Sequence, residues 1–187
     1  MKEIQIKELM IPLEEYATID EDATLFDAVM ALEKAQDEIN RAERKYLHRA
    51  ILVYNKNKKI VGKLSQLDIL KGLEPKYKSA TGDSGRMMTS GFSQNFLKSL
   101  VKQFALWDKP LADICQKASA MKVKDCMYIP SEGEFVDAND SMAVAIHQLV
   151  VGHHQSLLII KDKNIVGILR LTDVFREVCH AIKECRV

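Results

Sequence analysis

Hydrophobic and polar positions along the chain alternate between short strand-like runs and longer stretches with helical spacing. Tyr16-Ala17-Thr18-Ile19 predicts a short strand. Asp22 or Thr24 then offers a side-chain oxygen to cap a helix whose apolar positions Leu25, Val29, Leu32 and Ile39 share one stripe. The apolar run Ala50 to Tyr54 predicts a strand covered on both faces, Asn55 to Lys59 a polar turn, and Ile60 to Leu64 the returning strand of a hairpin. A helix starts at about Gln66, with Ser65 at its N-cap and Asp68 in its first turn, and Pro75 ends the series. The second half follows the same order. Glu134 to Val136 predicts a strand, and Ser141 to about Val151 a helix with Gly152 as its C-cap. Ser156 to Ile160 and Ile165 to Leu169 form a hairpin around Asp162-Lys163-Asn164, and a last helix runs from about Leu171 to Lys183. A short apolar lead-in precedes each half: Ile4, Ile6, Leu9 and Met10, closed by Pro12, and then Val123 to Met127.

The residues repeat as well as the pattern. Ile60 to Leu70 returns 105 residues later as Ile165 to Phe175, with Ile, Val, Gly, Leu and Asp identical at five of the eleven positions. His48 to Val53 parallels His154 to Ile159. Thr18-Ile19-Asp20 with Thr24-Leu25 and Ala28-Val29 parallels Phe135-Val136-Asp137 with Ser141-Met142 and Ala145-Ile146, and Ile6 to Met10 parallels Val123 to Met127. Four blocks in one order are an internal duplication, which decides the architecture before any single element does. The predicted organisation is a first repeat over 4–75, a connector over 76–120 and a second repeat over 121–185. Residues 76–92 have a loop composition. Ser93 caps a predicted helix with Phe96, Leu97, Leu100, Val101, Phe104 and Trp107 on one stripe, and Asp108 caps a second short helix carrying Leu111 and Ile114. That stripe is expected to pack on the chain's own core or on a sister subunit, with docking of another protein as the alternative.

Composition narrows the function. With 187 residues, 47% hydrophobic and 28% charged, the chain suits one or two globular domains. A formal net charge of +1 gives no global pull toward nucleic acid or an anionic membrane, so neither is an expected partner. No apolar run approaches the roughly 20 residues that span a bilayer. The opening Met-Lys-Glu-Ile-Gln has no apolar signal region, and a cytoplasmic location is expected. Cys115, Cys126, Cys179 and Cys185 form no Cys-x-x-Cys pair, and His153-His154 stand without a ligand cluster, so neither disulfides nor a metal are expected. Paired carboxylates with a base, nucleophile triads and a Walker glycine loop are all missing from the sequence, and no enzyme activity is expected.

Each repeat thus reads strand, helix, strand, strand, helix and closes on Gly-h-h-Ser/Thr-x-x-Asp, where h is apolar. This resembles the CBS domain, and two in tandem resemble a CBS pair, or Bateman module. The first repeat carries the motif as Gly62-Lys63-Leu64-Ser65-Gln66-Leu67-Asp68, with Lys63 the departure. The second keeps Gly167 and Asp173 but has Arg170 at the hydroxyl position. The resemblance implies an α/β (α+β) fold of two repeats packed through their sheets about an approximate twofold axis. It implies clefts for adenine nucleotides or S-adenosylmethionine as regulatory ligands, with no tightly held cofactor. It also implies that Asp68 and Asp173 hold ribose hydroxyls and that Ser65 contacts phosphate or ribose. His48-Arg49 is similar to the His-Arg pair with which nucleotide-sensing members reach phosphate. In the second repeat the pair becomes His154-Gln155, and Arg170 supplies a cation instead. Thr18, in the first strand, completes the candidate set. The chemistry agrees: a carboxylate accepts both hydroxyls of a cis-diol, and a helix N-terminus favours an anion. Plainer readings exist for the same residues: Asp68, Asp173 and Ser65 as helix caps, and His48, His154 and Arg170 as surface residues. The expected function is a regulatory homodimer that senses an adenosine-type ligand and signals to a protein partner. A ligandless dimerisation scaffold is the alternative.

Overall fold

The computed structural model describes residues 4–41, 49–81, 93–108 and 112–184. His48, Leu111 and Cys185, named above, lie outside them, as do residues 82–92 of the connector. The chain divides into two compact units, one of Met1–Thr18, Asp37–Leu47 and Ile129–Val187, the other of Ile19–Gln36 and His48–Tyr128.

In the first unit the lead-in forms a one-turn helix, α1 (Ile6–Leu9), and a two-residue strand, β1 (Ile11–Pro12). The unit continues through β5 (Phe135–Asp137), α8 (Met142–Val151), β6 (Ser156–Lys161), β7 (Asn164–Arg170) and α9 (Leu171–Glu184). Its sheet runs β1-β7-β6-β5, with β5 parallel to β6 and the other pairs antiparallel. Ile6, Val136, Ala145, Leu149, Leu157, Ile159, Leu169 and Val174 form one buried cluster. Helical spacing on α8 and alternate positions on β6 and β7 send these side chains to one side.

The second unit is built alike from α2 (Leu25–Arg41) as far as Gln36, β3 (Ala50–Tyr54), β4 (Ile60–Ser65) and α3 (Gln66–Leu73), with β2 (Thr18–Asp20) leading in from Ile19. Its sheet is ordered β2-β3-β4, and β3 and β4 form an antiparallel hairpin. Thr24 caps α2: its hydroxyl accepts the Asp27 amide at 3.1 Å, and the Asp27 carboxylate accepts the Thr24 amide at 3.0 Å. α7 (Val123–Cys126) and Tyr128 complete the unit, with Tyr128 bridging to Lys63 through a pair of backbone hydrogen bonds of 2.8 and 2.9 Å.

The lead-ins are therefore exchanged. The segment before the first repeat lies along β7 of the second, pairing Ile11 with Ile168. The segment before the second repeat lies along β4 of the first. The motif glycines are where these segments cross. A Cβ on Gly62 would stand 2.6 Å from the Met127 sulfur and 3.1 Å from the Tyr128 carbonyl; one on Gly167 would stand 2.5 Å from the Ile11 carbonyl and 3.2 Å from the Met10 sulfur. Gly167→Ala is expected to cost about 1–3 kcal/mol, because a backbone carbonyl has no rotamer to retreat into. Gly133→Ala, with nothing within 4 Å, is the near-neutral control in urea unfolding.

The start of the connector, residues 76–81, differs from its loop-like composition, while the helix predicted after Ser93 is present. Pro75 stops α3 and opens a new helix, α4 (Lys76–Thr81), as a residue of fixed φ does at a helix start. Ser93 caps α5 (Gln94–Phe104), accepting the Phe96 amide at 3.2 Å, and α6 (Ala112–Ala120) follows. The segment after α5 is clamped. Buried Glu74 accepts the Trp107 amide at 2.8 Å, and Lys76 donates to the Ala105 carbonyl at 2.7 Å and to Asp108 at 3.0 Å. The clamp fixes only one end. Leu106 is buried, but Leu97 and Val101 stay about half exposed among the described residues. Within a single chain that face of the stripe is left open, which keeps a sister subunit or another protein as its cover.

Candidate ligand site

In both units the last strand of the hairpin turns directly into a helix at the motif. Ser65 pairs with Ala50 across the first hairpin and Arg170 with Ser156 across the second. The first helical amide then returns to the opposite strand: Gln66 donates to the Arg49 carbonyl at 3.1 Å, and Leu171 to the Gln155 carbonyl at 3.0 Å. Arg49 and Gln155, and likewise Ser65 and Arg170, thus occupy equivalent positions. The two motifs share a backbone and differ in side chains.

In the second unit, Ser65 and Asp68 form a complete capping box. The Ser65 hydroxyl accepts the Asp68 amide at 3.2 Å, while Asp68 Oδ2 accepts the Ser65 amide at 2.9 Å and its hydroxyl at 2.5 Å. All of these bonds to the carboxylate fall on one oxygen. Among the described residues Asp68 Oδ1 accepts no hydrogen bond, and the residue is half-buried at the first turn of α3. The box fixes the orientation of the carboxylate and leaves one oxygen as an acceptor beside the positive end of a helix dipole. Arg49 is exposed at the start of β3, one backbone hydrogen bond away from α3. Thr18 is exposed at the start of β2.

The first unit assigns its carboxylate differently. Arg170 Nε donates to Asp173 Oδ2 at 2.6 Å and Nη2 to Oδ1 at 2.8 Å, a two-pronged pair. Arg176, one helical turn on, stands 3.7 Å from Oδ1. The Asp173 side chain is 3% exposed and that of Arg170 15%. Tyr16, also buried, faces the pair: burial pushes its hydroxyl up to about 12, opposed by the Arg170 charge and assisted by that of Asp173. His154 lies against Gly152 at the end of α8. Of the sequence-derived candidates, the structure brings Ser65 to Asp68 and Arg170 to Asp173. Tyr16 and Arg176 were not among the candidates; the three-residue offset of Arg176 from Asp173 on a helix was the one available signal.

Tyr16 makes a pH prediction. Its folded value exceeds the ordinary tyrosine value, so the folded state holds a proton that the unfolded chain releases. The resulting stability is complete below about pH 10 and is lost between about 10 and 12, by about 2–3 kcal/mol in all. Urea unfolding of Tyr16→Phe between pH 9 and 11.5 is expected to lack this loss relative to the parent.

A family model described as the CBS domain matches residues 6–75 and again 123–180. The chain belongs to the CBS-domain family. Two CBS repeats in one chain make it a tandem CBS pair. No curated protein sequence matches it. Among solved structures, it is similar to the CBS domain of a bacterial CNNM/CorC-family Mg2+ transporter in complex with ATP. That match has 16% identity and a TM-score of 0.59, covering 94% of this chain and 87% of the other. A hypothetical conserved protein from Geobacillus kaustophilus matches at 16% identity and a TM-score of 0.60, over 96% and 98% of the two chains. The CBS-pair protein CBSX2 in complex with AMP matches at 16% identity and a TM-score of 0.56, over 94% and 97%; without that ligand the same protein, from Arabidopsis thaliana, matches at 16% and 0.55, over 97% and 99%. At these identities the likeness is one of fold.

Proposed function

We propose that this CBS pair is a regulatory module. It takes an adenosine-containing ligand, AMP, ADP, ATP or S-adenosylmethionine, at the Asp68 motif and passes the resulting change to a protein partner. The observation carrying this reading is the open Asp68 oxygen, pre-oriented by Ser65 at the N-terminus of α3. That oxygen accepts a ribose hydroxyl, Arg49 offers a guanidinium for phosphate, and the helix end favours the anion. His48 and Thr18 are assigned to the same ligand on the resemblance alone. Two similar folds, one complexed with ATP and one with AMP, support the ligand class. A thermal-shift panel of the adenine nucleotides, S-adenosylmethionine and guanine nucleotides tests it, since a ligand that binds only the folded state raises the melting temperature. No shift with any adenosine compound at millimolar concentration would sink the reading in favour of a ligandless scaffold.

We infer further that the module is a cytoplasmic homodimer without catalytic turnover. Leu67 and Leu70 on α3, and Phe175 and Ile182 on α9, are more than half exposed, leaving both motif helices with apolar outer faces suited to a sister subunit. Among the described residues Cys115, Cys126 and Cys179 are in no disulfide, consistent with a reducing compartment. No helix among the described residues is long and apolar enough to cross a membrane. Light scattering at high micromolar concentration is expected to give twice the chain mass. Phosphate release from ATP that persisted through repurification would contradict the non-catalytic role.

A further inference from the structure

Asp68 and Asp173 stand at equivalent places in two copies of one motif, yet their carboxylates are in different states. Asp68 spends one oxygen on its own capping box and keeps the other open. Asp173 gives one oxygen to Arg170 Nε and the other to Arg170 Nη2, with Arg176 near the second. A cis-diol needs an unclaimed carboxylate oxygen, and Asp173 is nearly sealed from solvent. Arg170 replaces the hydroxyl residue at the position paired with Ser156, and Ser65 holds the corresponding position paired with Ala50. The change of side chain at that one position accounts for the difference.

We propose that Arg170 is the residue that sets ligand stoichiometry: its guanidinium occupies the Asp173 carboxylate as a built-in substitute for the ribose, so that only the Asp68 motif takes a nucleotide. This rests on the regulatory reading above. A cationic fork fills both acceptor oxygens and leaves none for a ligand hydroxyl, and the chain supplies it at an effective concentration no free ligand reaches. Arg170 is then a positioning residue for Asp173 and not a phosphate ligand. The second repeat is a closed copy of the site, and the asymmetry between the copies is written in one codon. Exchanging the residues at 65 and 170 exchanges the open and closed states.

The test is calorimetry with AMP and, separately, ATP on the full chain and on Arg170→Ser. The parent is expected to bind one nucleotide per chain and Arg170→Ser two. A parent that already binds two, or an Arg170→Ser protein that is folded and still binds one, overturns the proposal. Ser65→Arg supplies the converse if Arg170→Ser does not fold. It is expected to lose nucleotide affinity at least about tenfold relative to Ser65→Ala, which removes the hydroxyl without adding a fork. Ser65→Arg binding as well as Ser65→Ala overturns it equally. If no nucleotide binds the parent or either variant, the ligand reading fails and melting temperatures decide the closure by themselves. Loss on Asp173→Asn that is absent once Arg170 is already Ser supports the pair as a self-contained closure. Losses that simply add overturn it.

Discussion

Asp68→Ala is expected to weaken the tight nucleotide site by about 10- to 100-fold. The estimate follows from the state of the carboxylate. Hydrogen bonds to a charged group contribute roughly 1.5–3 kcal/mol each, which is about one to two decades in affinity. The open Asp68 oxygen is where such a bond is available, while the other oxygen is held by Ser65. The same substitution removes half of the capping box on α3 and costs about 1 kcal/mol of stability by that route. The affinity loss must therefore be read by calorimetry well below the melting temperature, with Ser65→Ala beside it as the variant that damages the cap and leaves the carboxylate. Equal affinity losses from the two would assign the effect to the cap. Unchanged affinity in a folded Asp68→Ala protein would remove Asp68 from the site.

The duplication made most of the fold legible. The hairpin and the motif glycine and aspartate each appear twice, and Ser65, Ser93 and Thr24 cap helices as their chemistry predicts. The exchange of lead-ins was not legible, because β1 is two residues long and one of them is Pro12, which carries no pattern of its own. Its trace in the sequence was the pair of motif glycines. Gly62 and Gly167 stand where a foreign backbone crosses the strand, a reason for glycine that the motif alone does not give. The stripe on α5 was legible as a helix face, but what covers it was not. Helical spacing reports that one face is apolar, not that anything covers it, and α5 is held by the Glu74 and Lys76 clamp beyond its C-terminus. The direction of Arg170 was equally hidden. An arginine beside a helix N-terminus reads as an anion ligand, and only the turn from β7 into α9 shows that its nearest anion is Asp173.

Asp173→Ala is expected to act on stability where Asp68→Ala acts on affinity. Removing one partner of a buried pair leaves the other charge without compensation, a loss of about 3–5 kcal/mol in fully enclosed cases. The Arg170 side chain is 15% exposed, and its stem allows the guanidinium to move toward water, so about 3 kcal/mol is expected here. The neighbours sharpen the effect. Tyr16 is buried against the pair, and Arg176 loses one of its two nearby carboxylates, keeping Glu177 at 3.8 Å. Asp173→Asn keeps the shape and an acceptor oxygen but not the charge, so most of the loss should remain. Arg170→Met combined with Asp173→Leu replaces the pair by apolar groups and is expected to recover much of it, because the penalty lies in the orphaned charge and not in a missing contact. Denaturant unfolding near pH 7 of the four proteins, parent included, gives the comparison. An Asp173→Ala protein as stable as the parent, but with nucleotide affinity reduced tenfold, would reverse the assignment of the two motifs.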